Sequence, residues 1–194
     1  MQDLPYIQPP PQLDSIKAKT TELQFSMSSE ILVGAMLRML ATSKPGGRFL
    51  ELGTGTGIAT AWILQGMDAK STLISVDNDG IVQKVAMDSV GGDPRLTLVT
   101  SGGLEFLESQ PGESFDFVFA DAMPGKYEGL DAALAVVKPG GFYVIDDMLP
   151  QANWPEGHAL KVPILMGKLA TNLDFEILPL IWASGVVVAV RRSK

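Results

Sequence analysis

From residue 28 onward the apolar positions of the chain follow two alternating periods. Ile31, Ala35, Leu37 and Leu40 recur at helical steps, so a helix is expected from Ser28, capped by Ser28 or Ser29 and ended before Pro45-Gly46-Gly47. Short apolar runs follow at 48–52, 71–76, 95–99, 115–120 and 142–145, and each reads as a strand. Between them, helical spacing covers 58–67, 81–90, 104–109 and 129–137.

A strand that is apolar throughout, rather than at every second position, is buried on both faces. Such strands alternating with helices imply a parallel sheet covered on both sides. Past residue 156 the rhythm changes. One longer helix runs to about residue 170, and two β-rich runs at 175–182 and 186–191 are joined only by Ala183-Ser184-Gly185. So short a joint allows only antiparallel neighbours. The expected fold is a Rossmann-like, doubly wound α/β sheet of seven strands, mostly parallel, with one antiparallel strand near the C-terminus.

Residues 1–12 contain Pro5, Pro9, Pro10 and Pro11, which predicts an extended arm over the surface in place of a helix. The expected division is a proline-rich arm over 1–14 and one domain over 15–194, with no internal repeat. Hydrophobic residues make up 46% of the 194 and charged residues 19%, enough to build one globular core. No apolar run approaches the roughly 18 residues of a membrane span, and the N-terminus has no basic or apolar signal region. The chain has no cysteine, which removes disulfides, thiolate catalysis and zinc–thiolate sites and points to the cytoplasm. A formal net charge of −7 disfavours a nucleic-acid partner.

The chemistry concentrates in FLELGTGTGIATAWIL, a strand, a glycine loop and a helix. Gly53, Gly55 and Gly57, with Thr54 between, permit a tight turn and close approach of a ligand to the backbone, and the following helix offers free N–H groups. The spacing is Gly-x-Gly-x-Gly, not the Gly-x-Gly-x-x-Gly of nicotinamide sites, and no Gly-Lys-Ser/Thr marks a phosphate loop. Glu51, two residues before the first glycine, would repel a pyrophosphate and suits an ammonium group. Asp77, 24 residues after Gly53, ends the second strand where a carboxylate accepts from ribose hydroxyls. Together they fit a nucleoside carrying an amino-acid tail.

These residues resemble the class I S-adenosylmethionine-dependent methyltransferases. The resemblance implies that Glu51 holds the methionine amino group and Asp77 the ribose. It implies further donor contacts at Asn78, at Ser101 and Gly102 after the third strand, and at Asp121. The segment FDFVFADAMPGKYEGLDAALAVVKPGGFYVIDDML narrows the likeness to the O-methyltransferases related to the catechol and caffeoyl-coenzyme A enzymes. That likeness implies a divalent metal, magnesium or calcium, on Asp121, Asp146 and Asp147, activating a small-molecule hydroxyl; a homodimer is common in that family. Two departures stand out: Asp147 replaces the usual asparagine, and Pro124 replaces the lysine three residues after the first metal aspartate, with Lys126 in another register. Asp121 has a rival role lining the donor and acceptor pocket without metal.

The expected catalytic set is Asp121, Asp146 and His158. His158, the only histidine, either takes the acceptor's proton or lies on a helix surface after Pro155. Trp154, Trp182, Tyr127 and Phe142 are candidates for an aromatic acceptor pocket, Trp154 foremost because it lies in a loop. Met27 and Ser28 fall where the family covers the methionine end. The alternatives are a methyltransferase of the same fold with a nitrogen or macromolecular acceptor, a binding protein without catalysis, and a nicotinamide oxidoreductase, against which Glu51 and the glycine spacing speak.

Overall fold

The computed structural model describes residues 6–193. Seven strands form one sheet: β1 (Arg48–Leu52), β2 (Thr72–Asp77), β3 (Leu96–Thr100), β4 (Phe115–Ala120), β5 (Val137–Ile145), β6 (Phe175–Leu180) and β7 (Val186–Arg191). Their order is β3-β2-β1-β4-β5-β7-β6. Strands β1 to β5 pair in parallel, while β7 runs antiparallel to both β5 and β6. One reversed strand in seven is the arrangement expected from the three-residue joint. The chain winds outward from β1 to β3 and then crosses to β4, so the carboxyl ends of β1 and β4 meet at the topological switch where such sheets bind ligands.

Side chains alternate across the sheet and divide the core. Phe49, Phe117, Phe119 and Val144 join the layer formed with α1 (Leu13–Glu22), α2 (Ile31–Thr42), α3 (Ile58–Gly66) and α4 (Gly80–Val90). Leu50, Leu52, Val118, Ala120, Tyr143 and Ile145 face α5 (Gly103–Ser109), α7 (Leu130–Ala135) and α8 (His158–Ala170). Phe49, Leu50, Phe117 and Val118 are fully buried, which accounts for strands with no polar alternation. Helix α2 lies close on α3: a Cβ at Gly34 would stand 2.3 Å from the Trp62 ring.

Three differences from the sequence reading have physical causes. Leu13, Ile16 and Thr20 occupy the buried stripe of α1, which straddles the boundary expected at residue 14. The preceding prolines hid it, and its third buried position is a threonine rather than an apolar residue. Of the proline-rich stretch, residues 1–5 lie outside the described residues; Pro10 is buried, and Arg38 donates to the Gln8 carbonyl at 2.6 Å. Helix α2 has Glu30 as its N-cap and no side-chain cap bond, since the Ser29 hydroxyl is engaged elsewhere. Strand β5 begins at Val137 and passes through Pro139-Gly140-Gly141 with an irregularity in its pairing to β4, so those residues kink a strand that they were expected to precede. No helix among the described residues is long and apolar enough to cross a membrane.

Candidate functional site

A cavity of about 540 Å³ opens at the carboxyl ends of β1, β2 and β4. Its walls include Gly53, Thr54, Gly55, Asp77, Asn78, Gly102 and Asp121. Gly53 has φ +98° and a Cβ there would stand 2.6 Å from the Asp121 carbonyl oxygen, so only glycine lets the loop pass against the end of β4. The Gly55 N–H donates to Asp77 Oδ2 at 2.7 Å, and the Asp79 N–H donates to Asp77 Oδ1 at 2.9 Å. Asp77 therefore shapes the loop and faces the cavity at once. Asp79 caps α4 by accepting from the N–H groups of Ile81 and Val82.

Thr54, Ser75 and Gln83 tie the loop down from beneath. Thr54 Oγ1 and Ser75 Oγ are 2.6 Å apart, and Gln83 Nε2 donates to Thr54 Oγ1 at 3.0 Å and to the Val99 carbonyl at 3.1 Å. Buried polar groups require such partners. From above, Thr20 of α1 donates to Thr56 Oγ1 at 2.8 Å, and the Phe25 ring would lie 3.3 Å from a Cβ at Gly55.

Several expected donor-site residues stand elsewhere. Glu51 is fully buried and absent from the cavity wall; its Oε2 accepts from Thr60 at 2.6 Å and Ser75 at 2.5 Å. Its Oε1 has no hydrogen-bond partner among the described residues. Burial pushes its pKa up to about 8, which favours the neutral carboxyl. Strand alternation sets its direction: Glu51 points with Phe49 toward α3 and reaches Thr60 there. Gly57 is also outside the wall. It has φ +91°, and a Cβ there would stand 2.7 Å from that of Ala86, so it serves the packing of α3 against α4. Ser101 stays out of the wall as well, its N–H donating to the Asp77 carbonyl at 2.9 Å.

A second cavity, about 280 Å³, adjoins the first. Met27, Ser28, Ser29, Asp121, Ala122 and Met123 line both. Asp146, Asp147, Trp154, His158, Lys126 and Ser184 are among the residues that line only the smaller one. Asp146 follows directly on β5 and is 2% exposed; its Oδ1 accepts from the Ser184 hydroxyl and from the Asp147 N–H at 2.7 Å. Burial, helped by the charge of Asp121, pushes its pKa up to about 7. Burial also raises Asp121, against the opposing pull of Lys126 and of the Ser29 hydroxyl, which donates to Oδ2 at 3.1 Å.

His158 is buried at the start of α8, not on its surface. The Trp154 ring stacks on it at 4.3 Å, and the Tyr127 hydroxyl is 3.1 Å from Nε2. Burial lowers the histidine pKa, outweighing the opposite effect of Asp147. Of the four aromatic candidates, Trp154 lines the cavity; Phe142 packs beside Phe117 in the core, Tyr127 reaches the cavity through His158, and Trp182 stands in the wall of neither cavity.

The three aspartates expected to share a divalent cation line one cavity but do not form a ready ligand set. Among the described residues no group of three His, Cys, Asp or Glu side chains is arranged to hold a metal. Asp146 Oδ1 is taken by Ser184 and a backbone N–H, and Asp147 Oδ2 accepts from the Trp154 indole at 2.6 Å. Lys126 Nζ donates to the Asp146 carbonyl at 3.0 Å and stands 3.6 Å from Asp121 Oδ1. The residues present do not fit the metal. Counting residues sets Lys126 in another register from the family's lysine, but Pro124 (ψ 137°) and Gly125 (φ 89°) break the short helix α6 (Met123–Lys126) and turn the lysine back onto Asp121.

A doubly wound sheet with a glycine loop and a carboxylate facing a cavity at its switch point defines an α/β domain of the kind that takes ligands at its strand ends. Residues 50–148 match the model of the methyltransferase domain family, and the chain belongs to that family. It is similar to proteins carrying an O-methyltransferase name from Mycolicibacterium vanbaalenii (30% identical over 118 residues, 58% of this chain and 52% of the relative) and Mycobacterium ulcerans (33% identical over 118 residues, 58% and 53%). The chain spans about half the length of the curated relatives it matches. In fold it is similar to the O-methyltransferase from Bacillus cereus in complex with SAH (TM-score 0.82, 18% identity, covering 96% of this chain and 93% of that one). It is likewise similar to the O-methyltransferase from Streptomyces achromogenes involved in tomaymycin synthesis, in complex with SAM (TM-score 0.80, 20% identity, 96% and 92%).

Proposed function

We propose that the protein transfers a methyl group from S-adenosylmethionine to a hydroxyl oxygen of a small molecule. The observation that carries this reading is the pair of adjoining cavities with Asp121, Ala122 and Met123 in the wall of both. A donor in the larger cavity, with its ribose on Asp77, would have its sulfonium methyl directed toward the smaller. The acceptor oxygen forms a bond to the methyl carbon as the carbon–sulfur bond breaks, the sulfur keeps that electron pair, and the hydroxyl proton passes to a base. Positioning supplies much of the rate in such a displacement.

His158, kept neutral by burial, is the candidate for that proton, with Trp154 and Tyr127 fixing its ring. Asp121 is the carboxylate best situated for the amino group of the donor's tail. Asp146 lies deeper and positions the neighbouring loop. The names of the relatives and the SAH- and SAM-bound neighbours support the donor and the reaction type. A cytoplasmic protein with no nucleic-acid partner is the setting that the acidic, cysteine-free composition supports.

Calorimetric titration with S-adenosylhomocysteine tests the donor site. Micromolar binding that Asp77→Ala weakens is expected; absence of binding to the folded protein would overturn the reading. Turnover on a panel of phenols and other hydroxyl compounds, against amines, then tests the acceptor.

A further inference from the structure

We infer that the ammonium of Lys126 is the resident cation of the smaller cavity, and that it meets the acceptor oxygen where a divalent metal would otherwise sit. This rests on the methyltransferase reading for the identity of the acceptor, but the cation's place is independent of it.

Four carboxylates, Glu30, Asp121, Asp146 and Asp147, line this cavity, and Lys126 is the one lysine or arginine among its lining residues. Lys126 is only 4% exposed, and a buried ammonium needs acceptors. It has a hydrogen bond to the Asp146 carbonyl at 3.0 Å and an ion pair with Asp121 Oδ1 at 3.6 Å. An ammonium carries three donors. Donor capacity is therefore left for a molecule in the cavity that Lys126 lines.

The surroundings are built to keep the lysine there. Gly125 has φ +89°, and a Cβ at that position would lie 2.6 Å from Leu52 Cδ1, so the turn before Lys126 is pressed into the core. The Gly125 N–H donates to the Glu128 carbonyl at 2.7 Å, and the Tyr143 hydroxyl, itself fully buried, donates to the Gly125 carbonyl. A divalent cation would have to enter beside this fixed positive charge. It would also have to compete with Ser184 for Asp146 and with Trp154 for Asp147, because magnesium demands oxygens at roughly 2 Å in a regular shell and calcium needs more oxygens still.

The chemical consequence concerns the acceptor. A metal with two open positions favours two adjacent oxygens on the substrate. A single ammonium donor stabilises one oxygen as its proton leaves and makes no demand for a second. The acceptor class is therefore a compound with one reacting hydroxyl, and a vicinal diol arrangement gives no advantage.

The first experiment follows the melting temperature of the full chain, with and without S-adenosylhomocysteine, in EDTA and in millimolar magnesium or manganese. A cation that binds the native state raises that temperature. Superimposable curves for the wild type are expected. Lys126→Met, which keeps the stem and removes the charge, is expected to gain a manganese-dependent rise of several degrees, because Asp121 and Asp146 then lack a cation. It is also expected to lose acceptor turnover at least tenfold while its affinity for S-adenosylhomocysteine stays within about threefold of wild type; Lys126→Arg recovers part of the turnover. A wild-type rise with magnesium or manganese that Asp146→Asn abolishes would overturn the inference, and that comparison decides it even where Lys126→Met does not fold. A wild type blind to metal that also fails to bind S-adenosylhomocysteine strikes the methyltransferase reading and leaves the assignment of the cation standing.

Discussion

The N–H of Gly55 and the carboxylate of Asp77 are joined by a hydrogen bond of 2.7 Å across the mouth of the larger cavity. One side chain thus holds the glycine loop in shape and presents its remaining acceptor capacity to a ligand. Asp77→Ala removes both roles. A charge-assisted hydrogen bond is worth about 1.5–3 kcal/mol, so affinity for S-adenosylhomocysteine is expected to fall roughly tenfold to a hundredfold by calorimetry. Asp77→Asn keeps the shape but loses the charge, and its loss is expected to be smaller.

Glu51 makes stability depend on pH in an unusual direction for an acid. Its folded-state pKa, about 8, lies above its ordinary 4.5, so the native state retains a proton that the unfolded chain has shed. The stability this gives is complete below 4.5 and is lost as the pH rises through 8, at up to about 1.36 kcal/mol per pH unit. Glu51→Gln is neutral at every pH and keeps an acceptor for Thr60 and Ser75. Urea denaturation is expected to show a flatter fall between pH 5 and 8 for the variant, and greater stability than wild type at pH 8. Equal slopes for the two proteins would contradict a protonated Glu51.

Gly57 separates packing from ligand contact within one loop. An alanine there meets Ala86 and must adopt φ near +91°. Left-handed backbone costs roughly 1–2 kcal/mol and overpacking about 1–3, so Gly57→Ala is expected to lower stability by about 2–4 kcal/mol. Affinity per folded molecule for S-adenosylhomocysteine is expected to change little. Tight binding lost at unchanged stability would place Gly57 in the donor's shell instead.

His158 has the opposite pH sign to Glu51. Its folded-state pKa is lowered by burial, so the unfolded chain binds more protons below about 6.5. The stability it contributes is present above that pH and is lost as the pH falls through the folded value. His158→Phe keeps the stack on Trp154 and is expected to resist acid better than wild type in thermal melts. Its kcat is expected to drop while the KM for the donor holds.

The fold was largely legible because its strands are buried on both faces. Apolar runs such as Phe115–Ala120 admit one interpretation once helices separate them, and the short joint after β6, five residues from Ile181 to Gly185, allows only one pairing. Helix α1 was not legible, since its stripe includes Thr20, whose burial depends on a partner hydroxyl on Thr56 distant in sequence. The site divided in the same way. Asp77, Gly53 and Gly55 follow from position at strand ends. Glu51 and Gly57 have the right spacing but face α3 and α4, and spacing does not report which side of a loop a group occupies. The arrangement of Lys126 required backbone angles at Pro124 and Gly125 that no count of residues contains.

Met27, Ser28 and Ser29 wall both cavities, and Met27 is 66% exposed. The short stretch between α1 and α2 is therefore a common boundary for two occupants. A change of side chain there alters the walls of both cavities at once, so Met27→Ala is expected to touch donor affinity and acceptor KM together, where a residue confined to one cavity would move only one of them.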